Sequence, residues 1–155
     1  MPYDSSIASD KALEHAVKLA ESVSGQVIVV HVIPEIPLPK RNPLNSRPTD
    51  PGLEDVLLAE KMVSVYEVIT KSSQRELDLK CSEFRGSGVP IRAHVLVGHV
   101  IDQIVNFAKK ELVDLVVLSN VGSSSSAASS APVPVFGSVS RSIAERALCP
   151  ILIVR

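Results

Sequence analysis

The residues best suited to chemistry in this chain are small ones. Asp4, Gly98, Gly122 and the pair Gly137-Ser138 each follow a stretch that reads as a strand end. A glycine lets backbone approach a phosphate closely, and a serine opening a helix donates where the helix dipole favours an anion. The stretch 112–155 reads as strand, loop, helix and strand. Its loop of small residues, feeding a helix N-terminus, is expected to point main-chain N–H groups at an anion. Taken alone, the same residues fit ordinary strand-to-helix turns equally well.

Other chemistries are pruned by absence. The chain contains no G-x-x-x-x-G-K-[ST], no G-x-G-x-x-G and no G-x-S-x-G, so no P-loop, dinucleotide fingerprint or hydrolase elbow is expected. Ser138 follows Gly137, but no base is evident for it, and no catalytic residue is predicted. The histidines at 15, 31, 94 and 99 form no i,i+4 pair and no ligand set, so no metal site is predicted. His31 lies within an apolar strand and reads as a satisfied core residue. Glu54, Asp55, Glu60 and Glu67 read as the solvated face of a helix. Cys81 and Cys149 stand far apart and read as free thiols in a reducing, cytoplasmic setting.

These positions need elements to hold them. Ala8, Ala12, Leu13, Ala16, Val17, Leu19, Ala20 and Val23 recur at helical spacing, with Ser5, Ser6 or Ser9 as cap and Gly25 as stop. The run 26–33, Gln-Val-Ile-Val-Val-His-Val-Ile, is β-branched throughout, as in a strand buried on both faces. Six prolines between Pro34 and Pro51 make residues 34–52 an irregular loop. A helix of roughly 48 Å is predicted over 53–84, its inner face running from Val56 and Val63 through Leu77 to Phe84. Residues 90–97 alternate, which implies an edge strand. Ile101, Ile104, Val105, Ala108 and Leu112 predict a further helix, and residues 113–119 a second buried strand. Val139, Ile143, Ala144, Ala147 and Leu148 line a last helix before a strand at 151–154. Strands alternating with helices predict an α/β fold with a doubly wound parallel sheet, in which ligands bind at the carboxyl ends of strands.

Composition agrees with one domain spanning 1–155. Apolar residues make up 45% and aromatics 3% of the 155 residues, with no Trp, as expected for β-branched strands under Ala/Leu-rich helices. The net charge of −1 offers no general attraction to nucleic acid. No apolar run reaches membrane-spanning length, and the first residues do not form a signal peptide.

The chain resembles the universal stress protein family over essentially its whole length. The matching stretches are Pro2-Tyr3-Asp4-Ser5-Ser6, Val29 to Ile33, Val97-Gly98 with Ile104, Asp114 to Leu118, and Gly137-Ser138-Val139 through Cys149-Pro150 to Val154. The resemblance implies a five-stranded parallel sheet of order 3-2-1-4-5 and a homodimer pairing through Ile151, Leu152, Ile153 and Val154. It further implies an adenine-nucleotide site (ATP or AMP, with or without Mg) and a cytoplasmic stress-response role, with at most slow hydrolysis of bound ATP. Carried over residue by residue, Asp4 would hold the ribose or adenine end, and Pro2 and Val32 would line the base pocket. Gly98, Gly122, Gly137, Ser138 and Val139 would complete the site. Ser119 stands where the first glycine of the family's phosphate loop is expected. The spacer 123–136 has fourteen residues instead of nine, so 123–134 contains an insertion rich in Ser, Ala and Pro. These departures support an alternative, a relative that has lost nucleotide binding and serves as a dimerising interaction module. The family also begins with a central strand before Pro-x-Asp; here Met1 stands where that strand should end. The first, central strand is therefore expected to be largely missing, which implies that Met1 is internal to a longer sequence or that the chain has been trimmed.

Overall fold

The structure, a computed structural model, describes residues 1–35, 53–120 and 136–155. Most of the Pro-rich loop, the Ser/Ala/Pro insertion and Gly122 lie outside the described residues. The elements alternate as predicted: α1 (Ile7–Ser22), β1 (Val27–Ile33), α2 (Leu53–Ser82), β2 (Ile91–Val97), α3 (Val100–Lys110), β3 (Val116–Ser119), α4 (Ser138–Arg146) and β4 (Ile151–Val154).

Helix α1 starts where Ser6 caps it, the Ser6 hydroxyl accepting the Ser9 amide at 3.1 Å. Its buried face is Ser9, Ala12, Leu13, Ala16, Val17 and Ala20; Leu19 and Val23, predicted on that face, turn outward. The helix ends in a Schellman turn: the Gly25 amide bonds the Ala20 carbonyl at 2.7 Å and the Ser24 amide the Glu21 carbonyl at 3.3 Å. The left-handed residue is Ser24, with φ 52°, and not the expected Gly25. Helix α3 ends the same way. Val113 bonds Ala108 at 3.0 Å, and Leu112 takes φ 50° with its side chain 84% exposed. That turn is why β3 begins at Val116 and not at Val113 as predicted.

Both strand pairings are parallel. β1 and β2 run in register from Val27↔Ile91 to Ile33↔Val97, and β3 and β4 from Val116↔Ile151 to Ser119↔Val154. The described strands therefore form two separate two-stranded sheets. Beside β1 lies the N-terminal segment. The Met1 ammonium donates to the Ile28 carbonyl at 2.6 Å, Val30 donates to Met1 at 2.8 Å, and Tyr3 to Val30 at 2.9 Å. Pro2 thereby bridges Val30 in parallel sense.

Two apolar clusters form the core. One joins Leu13, Ala16 and Val17 of α1 to Val27 and Val29 of β1, and to Val117 and Val154 of the second pair. The other gathers Ile104, Val116, Leu118 and Ile143, with Val32, Ala147, Ile151 and Ile153 against it. Each fully buried aliphatic side chain contributes about 1.5–3 kcal/mol. Two predicted faces are corrected. Among the described side chains of α2, Leu77 and Cys81 pack on the first cluster, as does Phe84 just beyond the helix, while Val63 is exposed; the side chain of Val56 lies outside the described residues. On α4 the inner face is Ser140, Ile143 and Ala147, and Val139, Ala144 and Leu148 point outward. Among the described residues no helix is long and apolar enough to cross a membrane.

Candidate functional site

The residues predicted to bind a ligand sit at the carboxyl ends of the strands, each held by its own local bonds. Asp4 follows the Pro2 bridge, and its Oδ1 accepts the Ser6 hydroxyl at 2.6 Å and the Ser6 amide at 3.2 Å. This Asx turn, with Ser5 at φ 61°, sets the entry into α1. Val32 points from β1 into the cluster of Ile104 and Ile143. Gly98 ends β2, its amide donating to the Ile33 carbonyl at 3.0 Å. Its φ of 141° and the Gln103 amide nitrogen, 2.6 Å from where a Cβ would stand, require glycine there.

Ser119 ends β3 and is tied to α4. The Ser140 hydroxyl donates to the Ser119 carbonyl at 2.7 Å, and the Gly137 amide donates to the Asn120 carbonyl at 2.6 Å. Asn120 in turn donates to Val154 of β4 at 2.9 Å. Gly137 is the N-cap of α4, without a side-chain capping bond, and Ser138 and Val139 form its exposed first turn. The helix start is thus fixed onto a strand end, with its dipole directed at that end of the sheet. Ser140 was not among the expected residues; its spacing of three and seven from Ile143 and Ala147 is the pattern that marks it as inward-facing. Gly122 lies outside the described residues.

The expected dimerising strand, β4, pairs with β3 on one side. Leu152 is 38% exposed, whereas Ile153 is half-buried against the second cluster and Val154 is buried. Among the described residues no group of His, Cys, Asp and Glu could hold a metal ion. His31 makes a 2.9 Å bond from Nδ1 to the Tyr3 carbonyl, a structural role.

A polar network outside the predicted set joins α1 to α2. The Tyr3 hydroxyl donates to Asp10 at 2.7 Å, and Lys80 reaches Asp10 at 3.1 Å and Glu83 at 2.9 Å. The bond to Glu83, with Asp10 adding to it, holds the Lys80 ammonium charged well above its usual range. Burial and the Asp10 bond push the Tyr3 phenol up. A hollow of about 290 Å³ opens beside this network. Between α4 and α3, the Arg146 guanidinium, 2.6 Å from Asp102, holds that carboxyl below the usual carboxylate range, with His99 adding to it. Burial raises the Cys81 thiol, so it is a poor thiolate. The same effect lowers the Met1 amino group to about 5.

A model of the universal stress protein family matches residues 1–155. Universal stress protein MJ0531 of Methanocaldococcus jannaschii is 24% identical over 155 residues, covering 100% of this chain and 79% of that protein. Among solved structures, hypothetical protein MJ0577 superposes with a TM-score of 0.72 at 20% identity, covering 99% of this chain and 91% of that one. A universal stress protein in complex with cAMP gives 0.60 at 20% identity, covering 100% and 93%. The universal stress protein from Archaeoglobus fulgidus in complex with dAMP gives 0.57 at 22% identity, covering 98% and 91%. These likenesses show the fold, an α/β arrangement of helices and parallel strands.

Proposed function

The chain belongs to the universal stress protein family, and on that premise we propose that it binds an adenine nucleotide and acts as a dimeric, cytoplasmic stress-response regulator. The observation that carries this reading is the fixing of α4 onto β3 through Ser140 and Gly137, at 2.7 and 2.6 Å. A helix N-terminus held rigidly at a strand end presents backbone donors to a phosphate at no further ordering cost. In this reading Ser138 and Val139 meet the phosphates together with Gly122 and Gly137. Pro2, Asp4 and Val32 take the ribose and base, Gly98 lies beneath them, and Ser119 flanks the phosphates. Mg accompanies ATP through the nucleotide's own oxygens. The fold neighbours solved with cAMP and with dAMP support the adenine class. We assign no general base among the described residues of the site, and in this reading hydrolysis of bound ATP is slow at most. We read 1–155 as one domain, with the two parallel pairs as the flanks of the 3-2-1-4-5 order and the dimer formed at Ile151, Leu152, Ile153 and Val154.

With no Trp in the chain, co-purifying nucleotide would dominate the ultraviolet spectrum. The expected result is such a contribution, together with a rise in Tm on adding Mg-ATP or AMP. Ser138→Asp, which places a carboxylate at the helix start, should weaken binding about a hundredfold, and Ser119→Gly should tighten it. A clean protein spectrum with no thermal shift from either nucleotide rejects the reading. The second reading, an interaction module without nucleotide, is favoured by Ser119, which stands where the family's first phosphate-loop glycine is expected, and by the fourteen-residue spacer 123–136. A dimer that persists in nucleotide-free protein with no thermal response would select it. Leu152→Lys tests the interface more cleanly than a change at Ile153, because Leu152 is exposed and Ile153 is part of the core.

A further inference from the structure

Tyr3 is held at three points. Its amide donates to the Val30 carbonyl at 2.9 Å, its carbonyl accepts from the His31 ring at 2.9 Å, and its hydroxyl donates to Asp10 at 2.7 Å. The hollow of about 290 Å³ beside it is lined by Tyr3 and His31 and, from the end of α2, by Glu76, Leu77, Lys80 and Glu83. It lies on the face of β1 turned away from Val32. Val32 packs with Ile104 and Ile143 in the second cluster, whereas Tyr3 and Leu77 belong with the first, and neighbouring strand residues such as His31 and Val32 face opposite ways.

We propose that this hollow binds a small organic cation, a guanidinium or amidinium carried on a short apolar chain. The hydrogen-bonding capacity left over decides the class. The Tyr3 hydroxyl directs its one hydrogen to Asp10, so toward a ligand its oxygen only accepts. A backbone carbonyl cannot donate, so Nδ1 of the neutral His31 ring carries the hydrogen in its bond to Tyr3, and Nε2 is an acceptor. Lys80 already reaches Asp10 at 3.1 Å and Glu83 at 2.9 Å. Glu76 lines the hollow and enters no ion pair among the described residues. Charge points the same way. Against the one ammonium of Lys80 stand three carboxylates, those of Asp10, Glu76 and Glu83. An anion would have to displace a carboxylate from Lys80. A guanidinium meets acceptors instead, and its planar fork matches a carboxylate in bidentate fashion. Leu77, 3% exposed, gives the apolar chain a surface to cover. The volume lies just below the roughly 300–1,000 Å³ of clefts for drug-sized ligands, which suits a molecule much smaller than a nucleotide. This inference does not depend on the nucleotide reading.

The test is titration of the 155-residue chain with butylguanidinium chloride, followed by its amide resonances, with butylurea as the neutral isostere and inorganic phosphate as the anion. Saturable shifts are expected at Leu77, Lys80 and Glu83, and butylguanidinium should bind about tenfold or more tighter than butylurea. Glu76→Gln, at an exposed position, should weaken binding about threefold or more while leaving the Tm of the free protein unchanged. Tyr3→Phe, which keeps the ring and removes the acceptor oxygen, should weaken it comparably. Unmoved resonances overturn the proposal, as does equal binding by butylurea, which would be mere apolar adhesion. Full binding by both variants, or a preference of the same amides for phosphate, overturns it too. AMP is titrated in parallel. If AMP competes for these amides, the hollow belongs to the nucleotide site and the proposal falls; if AMP does not bind while butylguanidinium does, the proposal stands and only the nucleotide reading fails.

Discussion

The two parallel pairs solve the same problem by different means. β1 and β2 share seven register positions and are flanked by the Met1–Tyr3 segment, so backbone ladders hold them. β3 and β4 share four, and their carboxyl end is secured by a helix: Ser140 and Gly137 of the α4 start bond Ser119 and Asn120. Long β-branched strands need little help from neighbouring turns. The short pair depends on its turn, and the same turn offers the exposed helix N-terminus on which the proposed ligand site rests. Stability and site are therefore separable in the first pair and coupled in the second.

The strongest way to break this comparison is to remove what the pairs share. Leu13 is fully buried in the cluster that contains Val29 of the first pair and Val117 of the second. Leu13→Ala should cost up to about 5 kcal/mol, and hydrogen exchange at the Val29 and Val117 amides should accelerate together. Ile143→Ala should cost a similar amount while acting first on β3 and β4. If Leu13→Ala left Val117 protected, α1 would not be a common wall.

The next effect belongs to the first pair alone. The Met1 amino group titrates at about 5 in the folded protein, against 8.0 ordinarily, because burial disfavours its charge. Between these values the unfolded chain holds a proton that the folded chain has released. Stability should therefore rise with pH from 5 to 8, by roughly 4 kcal/mol at about 1.36 kcal/mol per pKa unit, and flatten above 8. Urea midpoints of the free and N-acetylated chains across that range isolate the effect, and acetylation should abolish the slope. Smaller again is Gly98→Ala. Its φ of 141° and the Gln103 side chain oppose a Cβ, so a loss of about 1–3 kcal/mol is expected. Adding Gln103→Ala should restore the steric part but not the backbone part. The smallest effects are gains. Ser24→Gly and Leu112→Gly relieve left-handed residues at φ 52° and 50° and should each stabilise by about 0.5–1 kcal/mol in urea denaturation.

Element type and order were legible because apolar periodicity reports them directly: the run Val27–Ile33 and the alternation of Ile91–Val97 are visible as letters. The start of β3 was not. Leu112 to Leu118 reads as one apolar run, yet Leu112 closes the α3 turn in a left-handed conformation that hydrophobicity does not encode. The α4 face was misjudged for a related reason, since a buried serine that hydrogen-bonds the neighbouring strand looks polar in the sequence. The Gly98 requirement was only half legible. The turn could be read, but its φ of 141° and the Gln103 side chain of the following helix, which lies where a Cβ would stand, are not encoded in the local letters. The Tyr3–Asp10–Lys80–Glu83 network joins residues up to eighty positions apart, and no local spacing marks it.

The position of α1 also constrains how this chain can fold. Part of the buried surface of its sixteen residues is made by Val117 and Val154, both far along the sequence from it. The apolar face of α1 therefore stays partly uncovered until these distant strands have docked on it. Closing loops of this length before the core can form slows folding. For such a helix the vulnerable interval in folding is the one before β3 and β4 have docked against it.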